Sequence, residues 1–235
     1  LHLSIRRQRQ MCIRDSPDFT VTLTGYQVIK FNIDDKAYES ASVSYNSLPI
    51  MRYAEVLLNY AEAKAELGEF SDDIWNKTIK PLRERAGVDG KRPTSADPYL
   101  QQYYGLSDSD LLEIRRERAI ELLLEGFRYN DLMRWHAGEL LNKQWYGIYI
   151  PAMDTSYDLN GDGINDVCVI SGEAGNEPGV TYIVLDDSKY SLENGTTGRL
   201  LYTVGRNFEE KRYLRPIPKT ALNINPDLGQ NYYWR

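Results

Sequence analysis

The chain has 235 residues, 42% of them hydrophobic, which is enough apolar material for a globular core and unlike a disordered composition. Its formal charge is −6; setting aside the first sixteen residues, with four arginines and one aspartate, leaves 24 basic and 33 acidic residues, a balance that argues against a nucleic-acid partner. No apolar run approaches the roughly 20 residues needed to span a bilayer as a helix, and two cysteines, Cys12 and Cys168, define no disulfide framework.

Residues 1–16, "LHLSIRRQRQMCIRDS", are basic and lack the apolar stretch of a secretory signal. "MCIRDS" resembles the translated end of a sequencing-library transposon. Residues 1–16 are therefore read as a non-native leader, and residues 17–235 as the protein proper. Residues 19–31, "FTVTLTGYQVIKF", are β-branched and aromatic and read as one or two strands broken at Gly25.

After Pro49 a helix begins, with Tyr53, Val56, Leu57, Tyr60, Ala61 and Ala65 at helical spacing and Gly68 as its stop. Ser71 is placed to cap a second helix, "DDIWNKTIKPLRERAG", which Pro81 should kink or divide. With small Ala61 and Ala65 at the contact face, the two helices read as a tetratricopeptide-type hairpin. Ser107 or Asp108 caps a third helix running to about Glu125, and a fourth spans Phe127 to Trp135 after Gly126. From Gly138 on, Gly, Asn, Asp and Tyr dominate, with strand candidates at Thr181–Leu185 and Leu200–Val204. The expected fold class is mainly α: tetratricopeptide-like helical hairpins with a loop-rich irregular lobe carrying a few short strands. The C-terminal stretch is expected to run over the surface of the helical part.

"RYAEVLLNYAEAKAELG", "RRERAIELLLEGFRYNDLMRW", "YIPAMDTSYDLNGDGINDV" and "RYLRPIPKTALNINPDLGQNYYW" resemble, in order and spacing, the C-terminal portion of the SusD/RagB family. The resemblance implies a surface-exposed outer-membrane lipoprotein of Bacteroidetes-type bacteria that binds glycans or other nutrients without catalysis. It further implies a SusC-like TonB-dependent transporter as partner, and a signal peptide and lipid-acceptor cysteine outside this chain. The alternative function is a tetratricopeptide-like protein-interaction module with no glycan role.

"DLNGDGIND" places Asp158, Asn160 and Asp162 at positions 1, 3 and 5 of a calcium-type loop, with Gly163 at 6, the Ile164 carbonyl at 7 and Asp166 at 9. Position 12 is Val169, so the bidentate glutamate of an EF-hand is missing. The two readings are a weak structural Ca²⁺ site and an Asx-turn cluster in which the same side chains bind their own backbone. No cofactor is otherwise expected.

Glu117, Glu121 and Glu125 share a helix stripe, and Arg118 and Arg128 lie at pairing distance along it. An ion-pair network is expected there rather than a glycosidase pair, because paired carboxylates make poor general acids. His136 is the only histidine outside the leader, reads as a helix-end residue, and no GxSxG elbow accompanies it. Trp145, Tyr146, Tyr149 and Tyr157 are the candidates for stacking on sugar rings, joined by Tyr103 and Tyr104 from the loop before the third helix; packing against the helices is the competing role.

Overall fold

The computed structural model describes residues 51–185 and 189–234, and before residue 51 only residues 5, 6, 24, 27, 28, 30, 45, 47, 49 and 50. Most of the leader, including Cys12, and most of the 19–31 stretch lie outside the described residues. Within them, β1 (Ile5–Arg6) pairs antiparallel with β2 (Gln27–Val28). The chain divides into two compact units, Leu1–Arg52 with Gln144–Gly205, and Tyr53–Lys143 with Arg206–Arg235.

The second unit is helical. Helix α1 (Tyr53–Glu66) contains four alanines and no Gly or Pro, with Glu55 in its first turn and Lys64 in its last, each matched to the helix dipole. Gly68, at φ 69°, ends it in a Schellman turn: Glu69 N–H reaches the Lys64 carbonyl at 2.9 Å and Gly68 N–H the Ala65 carbonyl at 3.0 Å. The buried face is Ala54, Leu58, Ala61, Glu62 and Ala65. Ala61 and Ala65, the small residues expected at the contact face, lie on it, and Tyr53, Val56 and Tyr60 are exposed. The inward face is the one whose small side chains admit a neighbouring helix closely, and the bulkier aromatics are turned away from it.

The second predicted helix is two: α2 (Asp72–Lys77) and α3 (Ile79–Arg85). Ser71 Oγ caps α2 by accepting from Ile74 N–H. The break falls at Thr78, so that Pro81 sits in the first turn of α3, where its missing N–H costs least. Trp75, almost fully buried, anchors the pair by donating from Nε1 to the Gly90 carbonyl at 2.8 Å.

A helix not expected from the sequence, α4 (Pro98–Tyr104), follows, with Pro98 at its first position and Asp97 as N-cap. Tyr103 and Tyr104 are therefore helical rather than in a loop. Helix α5 (Ser109–Glu121) is capped by Asp108, whose carboxylate accepts from Asp110 and Leu111 N–H. It stops four residues short of Glu125, and Leu124 (φ 62°) and Gly126 (φ 83°) turn the chain into α6 (Phe127–Arg134). Ala54, Leu58, Ala61 and Ala65 of α1 meet Trp75, Ile79, Leu82, Leu111, Ile114 and Leu122 in one buried cluster. The C-terminal stretch belongs to this unit and carries α7 (Lys219–Ile224). Tyr213 OH accepts from Gly138 N–H at 2.8 Å, and Asn142 pairs with both backbone groups of Phe208.

The first unit is more regular than an irregular lobe. One antiparallel sheet runs β3 (Trp145–Ile150), β8 (Gly198–Tyr202), β7 (Tyr190–Leu192) in spatial order. The other runs β4 (Ser156–Tyr157), β5 (Val167–Ile170), β6 (Thr181–Val184), with β5 and β6 parallel. Ile150, Leu192 and Leu200 from the first sheet join Val167, Val169 and Ile183 from the second in a single buried cluster. β5 is buried at every position, as suits a central strand, and Cys168 is buried on it.

Candidate functional site

Antiparallel neighbours point to the same side of a sheet, and residues two apart along a strand share a face. On β8, Leu200 lies in the buried cluster and Tyr202 shares its face of the strand, and Arg199 and Leu201 are on the other face. Trp145 is paired with Tyr202 and Tyr202 with Tyr190, so these three aromatics form a row on the face opposite Arg199, along which Tyr190 packs on the buried cluster and Trp145 is 59% exposed. Trp145 and Tyr202 stack at 6.2 Å between ring centres.

Tyr146 is paired with Leu201 and Tyr149 with Arg199, on the outer side. Three residues apart, they would occupy opposite faces of a regular strand. The register shift between them is a bulge that returns both to one face. The Arg199 guanidinium lies over the Tyr146 ring, 3.7 Å from its centre. Its Nε and Nη2 donate to the Glu193 carboxylate at 3.0 and 2.6 Å. Each charge favours the other: a hydrogen bond to Glu193 raises the Arg199 pKa, and a hydrogen bond from Arg199 lowers that of Glu193. Tyr146 and Tyr149 are exposed by 43% and 63%.

The loop from Asp158 to Asp166 is the turn of the β4–β5 hairpin. Asp158 Oδ1 accepts from Gly161 N–H at 2.6 Å and Asn160 N–H at 3.1 Å, and Oδ2 from Gly163 N–H at 2.8 Å. Asn160 Oδ1 caps Asp162 N–H, and Asp162 Oδ1 caps Ile164 N–H. Asp166 is fully buried and accepts from Leu159 N–H at 2.8 Å. These are the Asx-turn bonds anticipated for the loop. Among the described residues no three His, Cys, Asp or Glu side chains group as metal ligands, so a cation here would depend on Asn160 and on backbone carbonyls.

The charged stretch Arg115–Trp135 pairs mostly between helices: Arg134 does meet Asp131 three residues back at 2.9 Å, but Glu117 and Glu121 take arginines of α3 and not Arg118 or Arg128 on their own stripe. Arg83 of α3 bridges Glu113 at 2.5 Å and Glu117 at 2.6 Å. Burial pushes the Glu117 carboxyl above its ordinary range, working against the Arg83 charge, and neighbouring Glu113 adds to the rise. Glu121 pairs with Arg85, and Arg128 donates to Tyr104 OH. Arg118 binds Asp131 of α6 and Asn59 of α1. Glu62 collects Arg134 and Trp135 Nε1, each at 2.5 Å. Arg115 sits over the Trp135 and Tyr104 rings at 4.7 and 5.5 Å. Burial lowers its pKa. Glu113, Glu117 and Glu121 are thus each held by an arginine.

The SusD family model matches residues 14–234. The chain belongs to the SusD family. The SusD-like protein P38 of Formosa agariphila is 33% identical over 97 residues, 40% of this chain and 18% of that protein. A SusD-like protein of Bacteroides fragilis has a solved structure with a TM-score of 0.53 and 24% identity, over 90% of this chain and 30% of that one. The selenomethionine protein BT4246 matches with a TM-score of 0.52 and 21% identity, over 90% of this chain and 29% of that one. These likenesses establish a shared, mainly helical SusD-type fold, and this chain spans less than a third of each relative.

In this SusD-family chain the aromatic candidates separate. Tyr146 and Tyr149 share the outer face of the sheet, and Trp145 lies on the opposite side. Tyr157 is in the other sheet, where its OH donates to the Ala152 carbonyl at 3.0 Å and accepts from Ala152 N–H at 2.8 Å. Tyr104 packs edge-on against Trp135. His136 follows α6 at φ 52° in a Schellman turn, stacks on Tyr213 and approaches Glu210 at 3.1 Å. Arg199 and Glu193 were not among the sequence candidates. Only the strand register, which single-strand patterning does not reveal, sets them beside the tyrosines.

Proposed function

We propose that this chain is the C-terminal part of a glycan-binding component of an outer-membrane uptake system. It captures oligosaccharide for a SusC-like TonB-dependent transporter and performs no catalysis. As a whole protein it is a surface-exposed lipoprotein of the outer membrane. Membership of the SusD family supports the class. The observation that carries the site is the pair of exposed tyrosines, Tyr146 and Tyr149, brought to one face by the bulge in β3. Exposed rings on one face of a sheet offer apolar surface to the C–H faces of sugars, with phenol groups left to hydrogen-bond. The pairing of Glu113, Glu117 and Glu121 with arginines supports a non-catalytic role, since no free carboxylate pair remains on that helix.

Native affinity electrophoresis in gels cast with a panel of polysaccharides tests this. At least one polysaccharide retards the wild-type chain, Tyr149→Ala and Tyr146→Ala reduce the retardation, and Tyr157→Phe leaves it unchanged. Wild-type mobility unaltered across the panel, or tyrosine variants retarded as strongly as wild type, overturns the reading. Release of reducing sugar would establish an enzyme instead.

A further inference from the structure

We infer that Arg199 and Glu193 form the polar bracket of the tyrosine face and restrict it to neutral sugars. This rests on the glycan-binding reading of Tyr146 and Tyr149. Arg199 is opposite Tyr149 in register and stacked on one face of the Tyr146 ring, so it stands beside both tyrosines on that side of the sheet. Its Nε and Nη2 are committed to Glu193, which leaves the Nη1 edge without a hydrogen-bond partner among the described residues. Both side chains are partly exposed, 45% for Arg199 and 36% for Glu193.

The two charges cancel, and that decides the ligand chemistry. A uronate or sulfate entering beside Arg199 would meet the Glu193 carboxylate and would have to displace it from the guanidinium fork, leaving a carboxylate unpaired. A vicinal pair of sugar hydroxyls displaces nothing. One hydroxyl oxygen accepts from Arg199 Nη1, and the neighbouring hydroxyl donates to a remaining lone pair of Glu193. The stacked guanidinium cannot be replaced by an ammonium, which lacks the planar fork.

The test compares gels cast with neutral polysaccharides (β-glucan, glucomannan, arabinoxylan) and acidic ones (alginate, polygalacturonate), using the full chain and checking each variant by circular dichroism. Wild type is retarded in a neutral gel and not in acidic ones. Arg199→Lys weakens neutral binding about tenfold, the loss expected of a charged hydrogen bond. Glu193→Gln frees the guanidinium, so it loses neutral binding and gains retardation by alginate or polygalacturonate. Wild-type retardation only in acidic gels, or a neutral-to-acidic preference unmoved by Glu193→Gln, overturns the bracket while leaving the tyrosine face standing. Tyr149→Ala retarded as strongly as wild type, or no retardation in any gel, overturns the face itself and the bracket with it.

Discussion

Arg118 of α5 clasps Asp131 of α6 with two parallel hydrogen bonds, Nε to Oδ2 at 3.0 Å and Nη2 to Oδ1 at 2.9 Å. Its third nitrogen reaches Asn59 of α1 at 2.7 Å, so one side chain ties three helices together. Arg118 is 4% exposed, and removing it leaves Asp131 and Glu62 buried with one cation fewer. Arg118→Ala is expected to destabilise by about 3–5 kcal/mol, the range for breaking a buried pair. Arg85→Ala, whose side chain is 58% exposed in its pair with Glu121, is expected to cost under about 1 kcal/mol. Urea melts of the two variants check the contrast; equal losses would contradict it.

What the sequence disclosed depended on the range of the interaction. Helix starts and stops are local: Ser71, Asp108, Gly68 and Gly126 all act where their residue types indicated. The short helix α4 has too few turns to show a periodic stripe, and its signal, Asp97 before Pro98, lay in a polar stretch read as a loop. Ion pairing was expected at three- and four-residue spacing, yet Glu117 found Arg83, 34 residues away. Helix-to-helix pairing depends on which faces meet: Ala61 and Ala65 marked the face of α1 that packs, but nothing local to α5 marked α3 as its partner. The bulge in β3 inverts the alternation rule, so no pattern of period two could have placed Tyr146 and Tyr149 together.

Gly138 is a steric prediction. A Cβ there would run into the Phe208 ring, and the Gly138 N–H is already fixed on Tyr213 OH. Gly138→Ala is expected to cost about 1–3 kcal/mol by overpacking. It should also loosen the C-terminal stretch around Phe208, seen as faster amide exchange at residues 208–214. Unchanged stability and exchange would show that Phe208 moves aside freely.

The loop from Asp158 to Asp166 is proposed to take calcium as a structural ion. Support comes from the spacing of Asp158, Asn160, Asp162 and Asp166 and from glycines at φ 79° and 86° that make the sharp turn. A site of about 1 mM affinity would stabilise the fold by about 1.4 kcal/mol in about 10 mM calcium. Thermal melts should show a rise with calcium that EGTA reverses and that Asp162→Ala removes. A melt unmoved by calcium leaves the loop standing on its Asx turns alone.

Asp158 makes the same loop sensitive to acid. Its carboxylate is held below the ordinary value of 3.8, first by the Gly163 N–H and then by the Gly161 N–H. Because the folded pKa is depressed, the stabilisation is complete above 3.8 and is lost as pH falls through the lower folded value. A neutral carboxyl accepts these N–H groups poorly, so the turn should open over that acidic window and not near neutrality. In an NMR titration, the Asp158 carboxyl midpoint should fall below 3.8, with the Gly161 and Gly163 amides shifting at the same midpoint. Asp158→Asn should abolish both transitions. A midpoint at or above 3.8 would mean that the backbone bonds do not favour the charged form.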